Sequence, residues 1–367
     1  MRITVVQGAF LPVPPLLGGG VEKVWFALGQ ELARRGVAVT HLSRRHPELP
    51  EQETLHGVRH VRLPGFDSPR TMLRRQCEDF VYSVGAARAL PDADILVTNT
   101  FWLPLLARQR RQGKIYVHIA RYPKRQMALY RRAARLQAVS APVAQAVREQ
   151  VPTLAHKVVA LPNPLPLEQF NQAPQPTTRP PVILYVGRVH PEKGLELLVR
   201  ACARLSVAHQ LRIVGPWQTE LGGGGEAYYQ ALRALAAPER VQFTGPIFQP
   251  EKLNSEFDAA TLFVYPSLAE KGETFGLAPL EAMARSRIAL VSDLACFRDF
   301  IRAGKNGFVF DHRVADSVRV LAQSISALLG APERLAALAP AAYATAREFA
   351  LPEVAARYLA DFQSLLA

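Results

Sequence analysis

Two cations and two carboxylates mark the part of this sequence best suited to chemistry. Arg188 and Lys193 lie in VGRVHPEKG, residues 186–194, a turn that leaves an apolar strand at Gly187 and feeds a helix. Cations converging beside a helix N-terminus can hold a diphosphate, because side-chain charge and free backbone N–H groups act on the same anion. A solvated basic turn is the competing reading of the same residues. Glu273 and Glu281 bracket a second turn, ETFGLAPLE, residues 273–281. The amides of Phe275, Gly276 and Leu277 stand at the start of a helix, where no intrahelical acceptor exists and phosphate can approach. Glu273 is placed there to accept hydrogen bonds from sugar hydroxyls. Glu281 lies on an otherwise apolar helix and needs a polar partner if buried, either ribose hydroxyls or an arginine.

Further candidates lie in the first half. GGGVEKV, residues 18–24, follows the first strand and opens a helix, so Gly19 and Gly20 allow close backbone approach to an anion, or form a plain flexible turn. His118 ends an apolar strand just ahead of Arg121, Lys124 and Arg125. It is either a satisfied core histidine or a group facing a ligand near phosphates. Asp92-Ala93-Asp94 has the spacing of a divalent-metal pair, but it precedes a strand and so sits at the wrong sheet edge for a ligand. The glycine run 222–225 is a flexible cover or a hinge. Phe101 to Leu106, followed by Arg108, Arg110 and Arg111, is a candidate membrane-surface element or a core helix with a basic end.

These loops must be held by a regular frame. Strand-like runs at residues 2–10, 37–43, 58–63, 94–100, 114–120, 136–140 and 157–161 alternate with helical patterns at 21–35, 71–90, 102–112, 126–134 and 141–151. Such alternation argues for a parallel sheet covered on both faces. LPLEQFNQAPQPTTRPP, residues 165–181, is rich in Pro, Gln and Thr and is expected to be a linker. The pattern restarts at Val182, with helices expected at 194–205, 226–236, 251–259, 277–286, 297–303 and 314–329 between short strands. The expected organisation is an N-terminal Rossmann-like domain over 1–164, the linker, a C-terminal Rossmann-like domain over 182–345, and a terminal helix over 346–367. Ligands of such α/β folds bind at the C-terminal edges of strands, which is where Gly187, Arg188, Lys193 and Glu273 fall.

The chain has 367 residues, and its apolar content of 49% suffices for two ordinary cores. No apolar run approaches the ~20 residues of a membrane-spanning helix, and the N-terminus reads as a strand instead of a signal peptide. Cys77, Cys202 and Cys296 are widely separated, which fits a reduced, cytoplasmic setting. Residues 1–180 hold 25 Lys and Arg against 12 Asp and Glu, and residues 181–367 hold 19 of each, so the net charge of +13 belongs to the first half. A basic half suits an anionic partner such as a phosphorylated acceptor, an anionic membrane surface or nucleic acid, or it serves solubility. No helix-turn-helix or RNA-binding aromatic motif supports the nucleic-acid option.

Together the motifs resemble the retaining glycosyltransferases of family 4. ETFGLAPLE resembles that family's E-x7-E signature. Gly187, Arg188, Lys193 and Gly194, the P-N-P at residues 162–164, F-T-G at 243–245, Y-P-S at 265–267 and E-A-M-A at 281–284 resemble its second domain, and GGVEKV its first-domain phosphate loop. The resemblance implies a GT-B architecture, two Rossmann-like doubly wound α/β domains facing across a cleft. The first would bind the acceptor and the second a nucleotide-sugar donor, with no metal or other cofactor. The terminal helix would pack back on the first domain. Arg188 and Lys193 would hold the diphosphate, Glu273 the donor sugar and Glu281 the ribose. Phe275, Gly276 and Leu277 would line the sugar-phosphate site, Gly19 and Gly20 would approach donor phosphate or acceptor, and His118 would lie near the reacting sugar. Glu270 in the lengthened loop rivals Glu273, but spacing to Glu281 selects Glu273. The implied reaction is transfer of a hexose to a saccharide or lipid-linked acceptor in surface polysaccharide or lipopolysaccharide assembly, at the inner face of the cytoplasmic membrane. An epimerase or phosphorylase on the same architecture, or a non-catalytic basic binding protein, are the alternatives.

Overall fold

The β-branched run after Met1 forms β1 (Arg2–Val6), and the glycine-rich loop beyond it opens α1 (Gly20–Arg34). A computed structural model describes residues 1–68, 71–172, 174, 176 and 179–367. The chain then continues through β2 (Ala38–Arg44), β3 (Gln52–Leu55), β4 (Val58–Leu63), α2 (Met72–Ala89), β5 (Ile95–Thr98), α3 (Leu103–Leu106), β6 (Lys114–Ile119), β7 (Arg135–Ala138), α4 (Ala141–Gln150) and β8 (Val158–Ala160). These strands form one sheet in the order β3-β4-β2-β1-β5-β6-β7-β8. All neighbours run parallel except β3 against β4. The order reverses between β1 and β5, so the loops after those strands flank a topological switch point.

A second unit, Leu165–Ala350, begins its sheet with β9 (Val182–Val186). It runs on through α5 (Leu195–Ala203), β10 (Gln210–Val214), α6 (Glu226–Leu235), β11 (Val241–Gly245), α7 (Pro250–Ala259), β12 (Leu262–Tyr265), α8 (Leu277–Ala284), β13 (Ala289–Ser292), β14 (Phe308–Phe310), α9 (Ser317–Leu329) and α10 (Pro332–Arg347). Its six strands are parallel in the order β11-β10-β9-β12-β13-β14. The switch point lies between β9 and β12, whose residues are almost wholly buried, as expected of parallel strands covered on both faces.

The last helix, α11 (Leu351–Leu366), belongs with Met1–Pro164. Its Val354, Ala355, Tyr358 and Phe362 join Trp25, Leu28 and Leu32 of α1 and Ile3, Val5 and Tyr116 of the sheet in one core cluster. Val354, Tyr358 and Phe362 recur at helical spacing, and each is fully buried.

Several elements depart from the sequence expectations. The helix expected over 102–112 is the four-residue α3 followed by a 3₁₀ turn, Arg110–Gln112. Those expected over 126–134 and 297–303 are 3₁₀ turns at Met127–Tyr130 and Ala295–Asp299. Short apolar spacing satisfies either helix type, and only the room between strands decides. The segment 165–181 is not a free linker where it is described. The Asn171 amide donates to the Ala284 carbonyl at 2.9 Å, Arg287 Nη2 to that of Pro174 at 2.9 Å, and Asn254 Nδ2 to that of Glu168 at 3.3 Å. Backbone carbonyls that find donors on a neighbouring surface tie a polar segment down. Ala173, Gln175, Thr177 and Thr178 of that expected linker lie outside the described residues. The terminal helix begins at Leu351, five residues later than expected.

Candidate functional site

In the second unit the site is built on two tyrosines. Buried Tyr185 is the last residue but one of the central strand β9 and Tyr265 ends β12, and their rings stack with centroids 5.5 Å apart and planes 9° apart. Gly187 follows β9. A Cβ there would lie 2.7 Å from the Tyr185 hydroxyl, so glycine leaves that hydroxyl free to donate to the Arg188 carbonyl at 2.9 Å. The turn then tightens through a 3₁₀ segment, Pro191–Lys193, into α5.

Lys193 and Glu273 meet across this platform. Nζ lies 2.7 Å from Glu273 Oε2, and the two side chains are only 7% and 10% exposed. Nζ also lies 5.7 Å from the centre of the Tyr265 ring. Burial, reinforced by the Glu273 carboxylate, pushes both phenols well above their ordinary value. Each therefore remains a neutral hydrogen-bond donor. Arg188 is more open. Its Nη1 donates to the Gly222 carbonyl at 2.6 Å and its Nη2 to Glu192 Oε1 at 2.7 Å. The glycine run is pinned: Gly223, Gly224 and Gly225 donate to the carbonyls of Gln218, Val189 and Trp217 at 2.7–2.8 Å.

Gly276 caps α8 at φ 89°, and a Cβ there would fall 2.4 Å from Phe297 Cε1. Phe275 is buried against Phe300 and Phe349. The amides of Phe275, Gly276 and Leu277 have no acceptor among the described residues, which is the arrangement that accepts an anion. Glu281 is half-buried on α8 and accepts from Gln169 Nε2 at 3.2 Å. That amide comes from residues 165–172, the segment expected to be a linker. Glu270 turns outward to Arg313 and His312 at 2.8 and 3.1 Å, which leaves Glu273 as the acid of the platform.

Gly19, Gly20 and His118 belong to the other unit, where they line a cavity of about 430 Å³ with Glu22, Asp79 and Tyr130. His118 stands on β6, buried, with Nδ1 2.5 Å from Gln137 Oε1 and its ring edge-on to Trp25 at 5.5 Å. Burial pulls it down to about 4, so it is neutral at physiological pH. Asp79 of α2 accepts from the Phe101 and Trp102 amides at 3.1 and 3.3 Å, yet burial pushes its carboxyl up to about 6. Burial also raises Glu22. Arg75, Arg121 and Lys124 complete the wall with positive charge.

The structure thus gathers Gly187, Arg188, Lys193, Glu273, Phe275, Gly276, Leu277 and Glu281 around one strand edge of the second unit, and Gly19, Gly20 and His118 around one cavity of the first. Sequence reasoning did not single out Asp79, Glu22 or Gln137. A carboxylate on an otherwise core-facing helix position was the available signal for Asp79; nothing local marks Gln137. Asp92 and Asp94 are engaged elsewhere, with Arg111 at 3.1 Å and the Arg2 amide at 2.7 Å. The Phe101–Arg111 stretch packs inward: Leu103 and Pro104 are buried, and Trp102 Nε1 donates to the Gln76 carbonyl at 3.1 Å.

Residues 168–345 match the family described as glycosyl transferases group 1, and residues 18–169 the one described as Glycosyltransferase Family 4. Over 197 residues, 51% of the chain, the sequence is 34% identical to a D-inositol 3-phosphate glycosyltransferase of Nocardia farcinica, of which the match covers 41%. The chain therefore spans less than half the length of that curated relative. Among solved structures, sucrose-phosphate synthase from Thermosynechococcus elongatus superposes with a TM-score of 0.82 at 22% identity, covering 100% of this chain and 99% of that one. Anabaena Alr3699/HepE in complex with UDP-glucose superposes with a TM-score of 0.73 at 16% identity, covering 99% and 100%. These likenesses establish the fold as two Rossmann-like α/β units of GT-B type.

Proposed function

The chain belongs to the family 4 glycosyltransferases, and from that premise we propose that it moves a hexose-type sugar, with retention, from a nucleotide-diphosphate sugar to a saccharide or lipid-linked acceptor. The observation that carries the reading is the Lys193–Glu273 pair at 2.7 Å beside Arg188 and the unfilled amides of α8. Cleaving the bond from sugar C1 to the diphosphate places negative charge on the leaving group. Arg188, Lys193 and the α8 amides offset that charge from fixed positions, so the reaction needs no metal. Glu273, held by Lys193, presents its remaining lone pairs to sugar hydroxyls. Glu281 and Gln169 offer an amide–carboxylate pair to ribose. With no nucleophile assigned, the acceptor hydroxyl attacks the face that the diphosphate leaves, and a phosphate oxygen takes its proton.

The acceptor falls to the N-terminal unit. Arg75, Arg121 and Lys124 on the cavity wall suit an anionic acceptor, and the Nocardia relative is named for an inositol phosphate. Among the described residues no helix is long and apolar enough to cross a membrane. A peripheral seat is favoured by α2, whose outward stripe includes Leu73, Phe80 and Val81, at 78%, 43% and 59% exposed, with Arg74 and Arg88 beside it. The exposed stripe supports the reading of α2, ahead of the 101–111 stretch, as the lipid-facing surface, and suits assembly of a surface polysaccharide at the inner face of the cytoplasmic membrane.

The test is a thermal-shift screen of UDP-, GDP- and ADP-sugars followed by transfer assays. A donor at a hundredfold excess over its Kd stabilises by about 2.7 kcal/mol. Product analysis then separates transfer, with retained anomeric configuration, from epimerisation, which alters the donor without an acceptor. Absence of stabilisation by every nucleotide-sugar, in a protein that unfolds cooperatively, refutes the donor assignment.

A further inference from the structure

We propose that Gln137 holds His118 as the neutral tautomer protonated on Nδ1, and so reserves Nε2 as a hydrogen-bond acceptor for a hydroxyl of the saccharide bound in the N-terminal unit. The saccharide part rests on the transferase reading above; the tautomer part does not.

The strand register sets the pair side by side, His118 of β6 opposite Gln137 of β7. Gln137 is fully buried, and both ends of its amide are committed. Nε2 donates to the carbonyls of Ala138 and Leu161 at 2.9 and 2.8 Å. Turning the amide over would aim its oxygen at two carbonyl oxygens and leave its NH₂ buried without those acceptors, so its orientation is settled by its neighbours. Oε1 therefore faces His118 Nδ1 at 2.5 Å. An amide oxygen only accepts, so Nδ1 carries the proton. The second nitrogen, Nε2, is then a bare lone pair. It is buried and has no partner among the described residues, in a side chain that lines the cavity. A buried acceptor without a partner is costly, and a bound hydroxyl would relieve that cost.

The surroundings keep the ring neutral. Trp25 from α1 presents its edge. Glu22 of α1, Arg75 and Asp79 of α2, and Arg121 and Lys124 beyond β6 share the cavity wall, but none hydrogen-bonds or ion-pairs with the imidazole among the described contacts. Burial disfavours the imidazolium. An acceptor-only nitrogen repels a phosphate oxygen and welcomes an O–H. On this inference His118 serves the saccharide, and the anionic part of a substrate falls to Arg75, Arg121 and Lys124. Gln137 is thus a positioning residue that acts through His118.

The experiment is nitrogen NMR of the full chain with 15N-labelled histidine, the His118 signals being assigned by their loss in His118→Asn. The expected spectrum has a pyrrole-type Nδ1 and a pyridine-type Nε2, with no titration between about pH 8 and pH 5. Gln137→Glu sets a carboxylate against Nδ1–H and should raise the titration midpoint by roughly one to three pH units; a merely structural role would not move it in that direction. A pyridine-type Nδ1 in the unmodified protein, or a Gln137→Glu midpoint equal to the unmodified one, overturns the tautomer assignment. For the hydroxyl, saturating glucose 6-phosphate should move the Nε2 line and inorganic phosphate should not. A line unmoved by the sugar phosphate, or moved equally by phosphate alone, overturns that part. None of these readouts needs turnover, so they stay separate from a failure of the transferase reading, which shows as absent transfer with the Nδ1–H tautomer intact.

Discussion

Replacing Lys193 by Met tests the central pair most directly. Nζ and Glu273 Oε2 are 2.7 Å apart, with side chains 7% and 10% exposed, so solvent cannot take over when one partner is removed. Breaking a buried pair costs about 3–5 kcal/mol, because the remaining charge stays buried. Lys193→Met is expected at the lower end of that range, about 3 kcal/mol. Glu273→Gln leaves the lysine an amide oxygen to donate to and should cost about 2 kcal/mol. The double variant buries no charge and should also cost only about 2 kcal/mol, a coupling of roughly 3 kcal/mol. With two units in the chain, a global unfolding energy is a poor measure. Hydrogen exchange over peptides from β9 and β12 reports opening of this unit alone. Lys193→Met should speed that exchange about a hundredfold, and adding Glu273→Gln should slow it again. Additive costs, or exchange within a few-fold of the original in the single variant, would mean that the pair behaves like a screened surface contact. Transfer should fall by orders of magnitude in Lys193→Met and stay low in the double variant. Recovery of turnover with recovered stability would reduce Lys193 to a structural part.

Three further outcomes follow from the same geometry. His41 and His60 stack at 5.5 Å with none of their four ring nitrogens partnered among the described residues, and burial pulls them down to about 3 and about 4. Their folded values lie below the unfolded value of about 6.5, so the stability they contribute is whole above that pH and is lost as pH falls toward 4. Each costs up to about 1.4 kcal/mol per pH unit there, and acid denaturation followed by tryptophan fluorescence should flatten in His41→Phe/His60→Phe. Gly276→Ala forces a side chain to φ 89° and into Phe297, which should cost about 2–3 kcal/mol and weaken nucleotide-sugar binding by isothermal calorimetry. Leu73→Glu/Phe80→Glu on α2 should abolish flotation with vesicles rich in anionic lipid without changing donor binding; unchanged flotation removes the membrane seat.

The alternation of strand and helix, the parallel sheets and the loops that carry Arg188, Lys193 and Glu273 were legible from the residues alone. Strand and helix periodicity, glycines at turns and breaks in apolar runs are local properties, and sheet topology then places such loops at one edge. The four-residue α3 and the 3₁₀ turns were not legible, since three or four apolar residues match several elements. The segment 165–181 looked like a linker because donors on a packed surface leave no mark on the segment that accepts from them. The helical pattern over 71–90 did not say which face of α2 is covered; only the packed unit shows that Leu73, Phe80 and Val81 are left outside. The pairing of Lys193 with Glu273, the seat of Glu281 against Gln169, and the hold of Gln137 on His118 join residues far apart in the chain. Which of two buried groups receives a proton or a charge is set by distances that only the folded chain creates. The sequence alone therefore marked the loops for which donor chemistry is proposed, and the tertiary structure decided how their side chains are paired.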